Sequence, residues 1–278
     1  MIFGLLVVLI FLITIFGDQK EEIDIVVAAN KWREDKGDMV SEHPIAPFCW
    51  DLNGSQLLEH PNCNSRFNGS QFCGLQNEVN GAWNSSFVES DPGRSAANVK
   101  SALSKRGCKH IIVDFEAVKS SKGELEAWLV KFIAKLKPHF KVSFAAYAKD
   151  SKVVSNPPAN KQSYEFICSH FDEIWIMSYD YSIPPWTAIG ELAPLSWVEK
   201  VVDHALKTCR NDQIRVGLAA YGYDWKTGKI IEEKDHKPEA GNQSVETISK
   251  RREKVKKLER KGITKFFIWS LGMYNQVI

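Results

Sequence analysis

The chain has 278 residues, of which 44% are hydrophobic and 25% are charged, and its formal net charge is +2. This length can bury one large core or two small ones. A charge so close to balance gives no bulk reason to expect a nucleic acid as partner, and none is predicted.

The densest concentration of charge is the basic run 249–261. Ile248, Val255 and Leu258 lie at helical spacing in or beside this run, which predicts an amphipathic helix with a solvated Lys/Arg face. A polyanion site is the alternative. It is disfavoured because no aromatic residue is interleaved with the basic ones.

Residues 2–16 are continuously apolar. We predict that residues 1–17 are a signal peptide or a signal anchor and that residues 18–278 form a single domain. The apolar run is marginal for spanning a bilayer, so membrane association is expected only if it remains as an uncleaved anchor. In either case the rest of the chain is expected in the secretory lumen, in a lysosome or outside the cell.

Sequons and cysteines agree with this compartment. The Asn-X-Ser sequons begin at Asn53, Asn68, Asn84 and Asn242. The six cysteines form an even set, which predicts disulfides, although many pairings are possible. We expect at least one bridge among Cys49, Cys63 and Cys73, which crowd the N-terminal third. No pair has zinc-ligand spacing, so neither a metal nor a cofactor is predicted.

Short apolar strands alternate with amphipathic helices along the chain. The predicted strands are 24–29, 44–51, 74–79, 110–116, 142–147, 173–179, 214–221 and 265–270. The predicted helices are 96–105, 122–136, 162–169, 196–207 and 245–261. Eight strands with helical crossovers predict an α/β fold, the (β/α)8 TIM barrel. A doubly wound open sheet is the alternative, but no glycine-rich phosphate loop follows the first strand.

The segment 110–116 carries the most informative chemical signal. Its strand pattern places Asp114 and Glu116 two residues apart, and strand alternation would send both side chains to the same face. Two neighbouring acids at the end of a buried strand repel each other and lose solvation, which raises the pKa of at least one. A glycosidase needs a protonated carboxyl of this kind to release an alkoxide. The alternative is a loop whose acids merely follow a hydrophobic strand.

Aromatic side chains recur at the ends of four successive predicted strands. They are Tyr147, Tyr179 beside Asp180, Tyr221 and Trp269. Because all strands of a barrel end at the same face, we expect these rings to share a cavity with the two acids. Rings and carboxylates together suit a sugar, whose C–H faces stack on rings and whose hydroxyls need acceptors. For any single ring, ordinary core packing is the alternative.

Four motifs in this order resemble glycoside hydrolase family 18, the chitinase-like barrel family. They span residues 113–116, 176–181, 216–225 and 267–272, with weaker echoes at 45–55, 76–83 and 91–94. The pattern is nearest to the compact branch that includes spore-cortex peptidoglycan hydrolases and chitobiase-like proteins. The similarity extends from about residue 44 to the end of the chain.

The resemblance implies a mechanism. Glu116 matches the general acid, and Asp114 matches the residue that holds the acetamido N–H of the substrate and stabilises an oxazolinium ion. Tyr179 matches the hydroxyl that orients the acetamido group, and Asp180 matches its neighbour in the reacting subsite. The nucleophile in this family is the substrate's own acetamido oxygen, so no enzyme carboxylate attacks the sugar.

Five residues are assigned to substrate binding, by the resemblance or by their place at the strand ends. Met177 would pack against the substrate, Trp269 would form the floor, and the others are Tyr147, Tyr221 and Asn77. The implied ligand is an oligo- or polysaccharide that contains N-acetylglucosamine (GlcNAc). The protein is expected to be a monomer.

Three positions depart from the family motif, Asp-Gly-x-Asp-x-Asp-x-Glu. Its first three specified positions are Lys109, His110 and Ile112 in this chain. Ile112 would face the same side as Asp114 and deprive it of a polar neighbour, which predicts reduced activity or an altered pH dependence rather than inactivity. The alternative is that Ile112 simply fills a layer of the barrel.

The length of one connection also departs from the family. Only about two dozen residues separate Trp225 from the last predicted helix, too few for the extra α+β insertion of deep-cleft members. We therefore predict a compact barrel with a shallow cleft. The eighth strand lies so near Ile278 that the barrel's last helix is not predicted with it.

The leading hypothesis is a secreted or lumenal retaining glycosidase that cleaves β-1,4 bonds after a GlcNAc unit. Chitin oligomers, peptidoglycan and the chitobiose core of N-glycans contain this unit. A lectin that binds saccharide without cleaving it is the alternative, because Glu116 is retained but Lys109 and Ile112 differ from the family pattern. A purely structural barrel is the third hypothesis.

Overall fold

The structure is a computed structural model, which describes residues 22–31, 41–63, 67, 70–274 and 276–278. The predicted signal segment 1–17 and the sequon at Asn68 lie outside these residues. Within the described part, no helix is long and apolar enough to cross a membrane.

Eight parallel strands form the wall of a closed barrel. Their bounds are β1 (Asp24–Asn30), β2 (Ile45–Asn53), β3 (Phe72–Gln76), β4 (His110–Asp114), β5 (Lys141–Tyr147), β6 (Glu173–Met177), β7 (Ile214–Ala219) and β8 (Lys265–Trp269). Neighbours in the barrel follow chain order, and β1 pairs in parallel with both β2 and β8, which closes the sheet. The prediction of a (β/α)8 barrel is confirmed.

Helices surround this barrel and begin where the sequence provides caps. Their bounds are α1 (Pro92–Lys105), α2 (Lys122–Leu136), α3 (Pro157–Asn160), α4 (Tyr164–His170), α5 (Leu195–Ala205) and α6 (Ile248–Glu259). The Asp91 side chain accepts from the Arg94 N–H at the start of α1. Ser121 and Glu124 form a reciprocal capping box at the start of α2. Both devices satisfy N–H groups that have no partner inside the helix.

The strand side chains alternate between two apolar layers. Ile111 and Val113 pack outward in the large cluster that includes the helices, whereas Ile112 is fully buried inside the barrel. The interior cluster consists of Val26, Ala28, Ala46, Phe48, Ile112, Ala145, Trp175 and Phe267. The prediction that Ile112 fills a barrel layer is confirmed. Because Met177, Tyr179 and Trp269 pack on this cluster, it supports the carboxyl-terminal face of the barrel.

A polar layer lies at the opposite, amino-terminal end of the strands. Glu173 accepts from the ammonium groups of Lys141 at 2.6 Å and Lys265 at 2.9 Å. His110, which stands at the glycine of the family motif, lies 2.5 Å from the Ser143 hydroxyl through its Nε2. Burial lowers the pKa of His110 to about 3, which keeps the ring neutral. This departure from the motif is therefore absorbed by hydrogen bonding far from the carboxyl-terminal face.

Three disulfides use all six cysteines. They join Cys49 to Cys63, Cys73 to Cys108, and Cys168 to Cys209. The bridge predicted within the N-terminal third is confirmed by the first of these. Three disulfides in one chain fit an oxidising, secretory or extracellular compartment.

Helix α6 confirms the amphipathic pattern but not the fully solvated basic face, because Arg251 and Lys254 are buried. The Arg251 guanidinium donates to the Glu233 carboxylate at 2.6 Å. It also donates to the backbone carbonyls of Ala219, Glu246, Gln276 and Val277. Lys254 forms a buried ion pair with Glu246. The pattern within the helix could not reveal these partners, since they come from other segments.

The connection from β7 to α6 is short and folds into a small antiparallel sheet. Its strands are Tyr221–Asp224, Ile230–Glu232 and Gln243–Val245. The predicted strand 214–221 therefore ends earlier, at Ala219, and Tyr221 begins the small sheet. Two short 3-10 turns complete the connection, and its described residues contain no α-helix.

Replacing Arg251 with leucine should destabilise the fold by about 3–5 kcal/mol, because Glu233 would keep a nearly buried charge without its partner. Urea unfolding followed by circular dichroism measures this loss. Arg252→Leu is the matched control, because Arg252 is exposed on the same helix and should cost at most about 0.5 kcal/mol. Equal midpoints for the two variants would contradict the structural role of Arg251.

Candidate active site

A cavity of about 770 Å³ opens at the carboxyl-terminal ends of the strands. Eight of the nine residues that the sequence assigns to the site lie on its wall: Asp114, Glu116, Tyr147, Met177, Tyr179, Asp180, Tyr221 and Trp269. The ninth, Asn77, lies behind the wall. The cavity is within the size range of small-molecule sites, and this end of a barrel is where such sites form.

Asp114 is the last residue of β4 and is only 3% exposed. Gln76, the last residue of β3, is its partner in the parallel register, and the Gln76 Nε2 donates to Asp114 Oδ2 at 3.0 Å. The other carboxyl oxygen, Oδ1, is buried and has no hydrogen-bond partner among the described residues. A buried acceptor without a donor costs free energy, so an N–H group of a ligand would be stabilised there.

The contact with Gln76 corrects one expectation from the sequence. Ile112 does not leave Asp114 without a polar neighbour, because the adjacent strand supplies one. The prediction considered only the strand that carries Asp114. In a parallel sheet, however, a residue at the same level on the next strand lies as close as a residue two positions away on the same strand.

Glu116 reaches the cavity by a different route from the one predicted. Strand β4 ends at Asp114, so strand alternation does not orient Glu116. Asn77 fixes the Glu116 backbone instead: its Oδ1 accepts from the Glu116 N–H at 2.8 Å and its Nδ2 donates to the Glu116 carbonyl at 2.9 Å. The next residue, Ala117, adopts a φ of 46°, in the left-handed region that non-glycine residues seldom occupy. This turn places Glu116 beside Asp114.

Asn77 therefore has a different position from the one that the sequence predicted. It is fully buried, and its amide also donates to the Asn84 carbonyl at 2.9 Å. A direct contact with substrate would require it to give up these bonds. We assign Asn77 to positioning the Glu116 backbone rather than to binding substrate.

The two acids of β4 raise each other's pKa. Burial raises the pKa of Asp114, opposed by the hydrogen bond from Gln76 and the charge of Lys31. Burial also raises the pKa of Glu116, and the negative charge of Asp114 raises it further. Because the hydrogen bond from Gln76 favours the ionised form of Asp114, we expect the proton that the pair retains to reside on Glu116.

Tyr147 connects Glu116 to the turn that follows it. Its hydroxyl accepts from the Ala117 N–H at 3.3 Å and donates to the Glu116 carboxyl. Burial and the nearby Glu116 charge raise the pKa of Tyr147, so the hydroxyl stays protonated. Tyr147 is thus a donor to Glu116 when that acid is ionised, which opposes the effect of burial on its pKa.

Asp180 forms a second polar group on the wall. Its Oδ1 accepts from the hydroxyls of Tyr221 at 2.8 Å and Tyr223 at 2.9 Å. Burial raises the pKa of Asp180, and the two hydroxyls oppose this rise. Burial and the charges of Asp114, Asp180 and Glu116 raise the pKa of Tyr179. The Tyr179 hydroxyl therefore remains a potential hydrogen-bond donor to a ligand.

The floor of the cavity is apolar and aromatic. The ring of Trp269 meets that of Phe48 edge-on, with centroids 5.3 Å apart. Phe267 and Trp175 line the cavity beside Met177, and all three belong to or pack on the interior cluster. An aromatic floor below a polar wall is the arrangement that binds a sugar through stacking and hydrogen bonds together.

The sequence reading missed three residues that shape this site: Gln76, Tyr223 and Glu78. Gln76 could have been found as the polar last residue of the strand next to the acid strand. Tyr223 lies in the same motif as Tyr221, two residues further along. Glu78 had no local signal, since its relation to Lys31, 3.4 Å from its carboxylate, depends on the closed barrel.

The fold and the site define a barrel enzyme of the glycosidase type, and comparisons with known proteins agree. The model of the glycosyl hydrolases family 18 matches residues 96–272. This match covers more than half of the chain, which therefore belongs to glycosyl hydrolase family 18. Membership implies a carbohydrate substrate.

Known relatives and structures are similar to this chain. A chitinase from Chromobacterium violaceum has a TM-score of 0.77 at 18% identity, with 91% of this chain and 96% of that chain covered. The spore cortex-lytic enzyme SleL from Bacillus cereus has a TM-score of 0.73 at 17% identity, with 92% and 72% covered. The uncharacterized glycosylase YvbX of Bacillus subtilis is 25% identical over 118 residues, which are 41% of this chain and only 34% of that protein. At these identities the structural likeness concerns the fold.

Replacing Gln76 with leucine should raise the pKa of Asp114 further, by about one or more, because the ionised form loses its hydrogen-bond donor. Titration of side-chain carboxyl carbons by NMR measures this change. Gln56→Leu, at an exposed position of the strand Gln56–Glu59, is the control and should leave the Asp114 titration unchanged. Identical titrations of the two variants would show that the Gln76 contact does not set the state of Asp114.

Proposed function

We propose that the protein is a retaining glycosidase that hydrolyses β-1,4 linkages of GlcNAc-containing glycans by substrate-assisted catalysis. One observation carries the proposal: Asp114 Oδ1 is a buried acceptor without a partner among the described residues, next to a second acid of raised pKa. A 2-acetamido N–H is a donor suited to this oxygen. Membership in a glycosidase family supports the same conclusion.

In the first step, the protonated carboxyl of Glu116 gives its proton to the glycosidic oxygen as the bond from that oxygen to C1 breaks. The acetamido carbonyl oxygen of the substrate forms the new bond to C1, which gives a cyclic oxazolinium ion. The ionised Asp114 accepts a hydrogen bond from the acetamido N–H and stabilises the positive charge. Since nucleophile and electrophile belong to one molecule, the attack has a large entropic advantage.

In the second step, Glu116 is ionised and takes a proton from a water molecule. The oxygen of this water attacks C1, and the bond from C1 to the acetamido oxygen breaks. Two successive inversions at C1 retain the β configuration. Both acids return to their starting protonation states.

The remaining residues of the wall orient the reacting sugar. The Tyr179 hydroxyl would donate to the acetamido oxygen, and Asp180, held by Tyr221 and Tyr223, would accept from sugar hydroxyls. Trp269 would stack against the C–H face of the ring. These contacts restrict the substrate to sugars with a 2-acetamido group, because only that group uses the Asp114 oxygen.

A lectin without hydrolytic activity is the second candidate, because Lys109 and Ile112 depart from the family motif. We favour hydrolysis for two reasons. Gln76 gives Asp114 the polar partner that Ile112 lacks, and Glu116 lies on the cavity wall. We also propose that the protein is a secreted or lumenal monomeric glycoprotein. Three disulfides and the sequons support that compartment.

Glu116→Gln should lower the hydrolysis of a GlcNAc oligomer with an aryl leaving group by at least about a hundredfold, since the amide cannot donate the proton. Saccharide binding, measured by calorimetry, should remain. Glu165→Gln is the matched control, because Glu165 is exposed on α4 away from the cavity. Unchanged turnover by the Glu116 variant would remove this residue from the acid role.

The pH dependence of kcat/KM follows from the required states, ionised Asp114 and protonated Glu116. Activity should rise as Asp114 loses its proton and fall as Glu116 loses its own. Burial and the charge of Asp114 raise the pKa of Glu116 to about 8, so the alkaline limb should lie near this value. A rate that already declines between about pH 5 and 6 would mean that Glu116 ionises like an ordinary carboxyl.

A further inference from the structure

We infer that a second saccharide-binding groove adjoins the catalytic cavity and receives an uncharged GlcNAc chain that extends from it. The groove has a volume of about 1070 Å³ and lies between the hairpin Glu78–Val79/Ala82–Trp83 and helix α2. Trp83 lines both the groove and the catalytic cavity. The inference rests on the proposed function because it places one part of the same saccharide in the catalytic cavity.

The hairpin makes the two spaces continuous. Trp83 pairs with Glu78 across the hairpin, and both residues line the catalytic cavity. Beyond Trp83, the residues Val79 and Ala82 of the same hairpin line only the groove. A linear polymer that leaves the catalytic cavity over Trp83 therefore enters the groove without crossing another wall.

The floor of the groove is rigid and aromatic. The Nε1 of Trp128 donates to the Ser90 carbonyl at 3.0 Å, which fixes the orientation of the indole ring. The buried ring of Phe87 packs edge-on against Trp128 with centroids 5.0 Å apart. A surface that is already ordered loses little conformational entropy on binding. Small polar groups of Asn84, Ser85 and Ser86 stand beside this floor and could accept or donate to sugar hydroxyls.

The charges of the groove indicate the class of ligand. Two lysines, Lys119 and Lys131, and two glutamates, Glu89 and Glu124, line it, and all four are exposed. Their charges cancel, so the groove offers no net attraction to a polyanion. An uncharged GlcNAc polymer fits this balance better than a glycan that carries acidic peptides. A chain bound on both sides of Trp83 would be cleaved internally rather than at its end.

The test measures binding in the Glu116→Gln background, so that it does not depend on hydrolysis. We expect the GlcNAc hexamer to bind about tenfold more tightly than the trimer, the gain of about one further aromatic contact. Adding Ala127→Trp, which fills the groove from α2, should reduce hexamer affinity to that of the trimer and leave trimer affinity unchanged. Because the ligand is uncharged, added salt should not change the ratio.

Ala134→Trp is the matched control. Ala134 is exposed two turns further along α2 and does not line the groove, so this variant should keep the preference for the hexamer. Equal affinities for trimer and hexamer with the groove open, or a hexamer affinity that Ala127→Trp does not change, would overturn the inference. If the wild-type protein hydrolyses neither oligomer but keeps the length-dependent binding, the glycosidase proposal fails and the groove stands.

Discussion

The site depends on the repulsion between two carboxyls that the barrel buries next to each other. Asp114 and Glu116 lie above an apolar cluster, so water cannot screen their interaction. Gln76 offers the one hydrogen bond that Asp114 receives among the described residues, and it favours the ionised state of that acid. The two acids consequently differ in environment, and this difference assigns them different tasks. A pair with identical surroundings would have no basis for separating an acid from an electrostatic partner.

The fold produces this asymmetry through strand register and one turn. Parallel pairing of β3 with β4 puts Gln76 opposite Asp114, and the same pairing puts Asn77 within reach of the Glu116 backbone. The left-handed conformation of Ala117 then directs the chain away from the strand. A conformation of this kind persists only where surrounding contacts hold it, and Asn77 and Tyr147 provide them here.

Much of the fold followed from the sequence, because apolar periodicity records which strands are buried. All eight barrel strands lie at predicted positions, and eight predicted site residues share one cavity. The errors arose where a partner is distant along the chain. The Gln76 contact and the burial of Arg251 depend on other segments, which no local pattern encodes. Asn77 was placed on the wrong side of the wall because its amide bonds to a backbone, not to a ligand.

The most direct test of the proposed mechanism is the configuration of the fresh product. Hydrolysis of a GlcNAc oligomer, followed by proton NMR before mutarotation, should show the β anomer at the new reducing end. A matched oligomer of glucose, which has a hydroxyl in place of the acetamido group, should not be cleaved. An α product, or cleavage of the glucose oligomer at a comparable rate, would contradict the assignment of the acetamido oxygen as nucleophile beside Asp114.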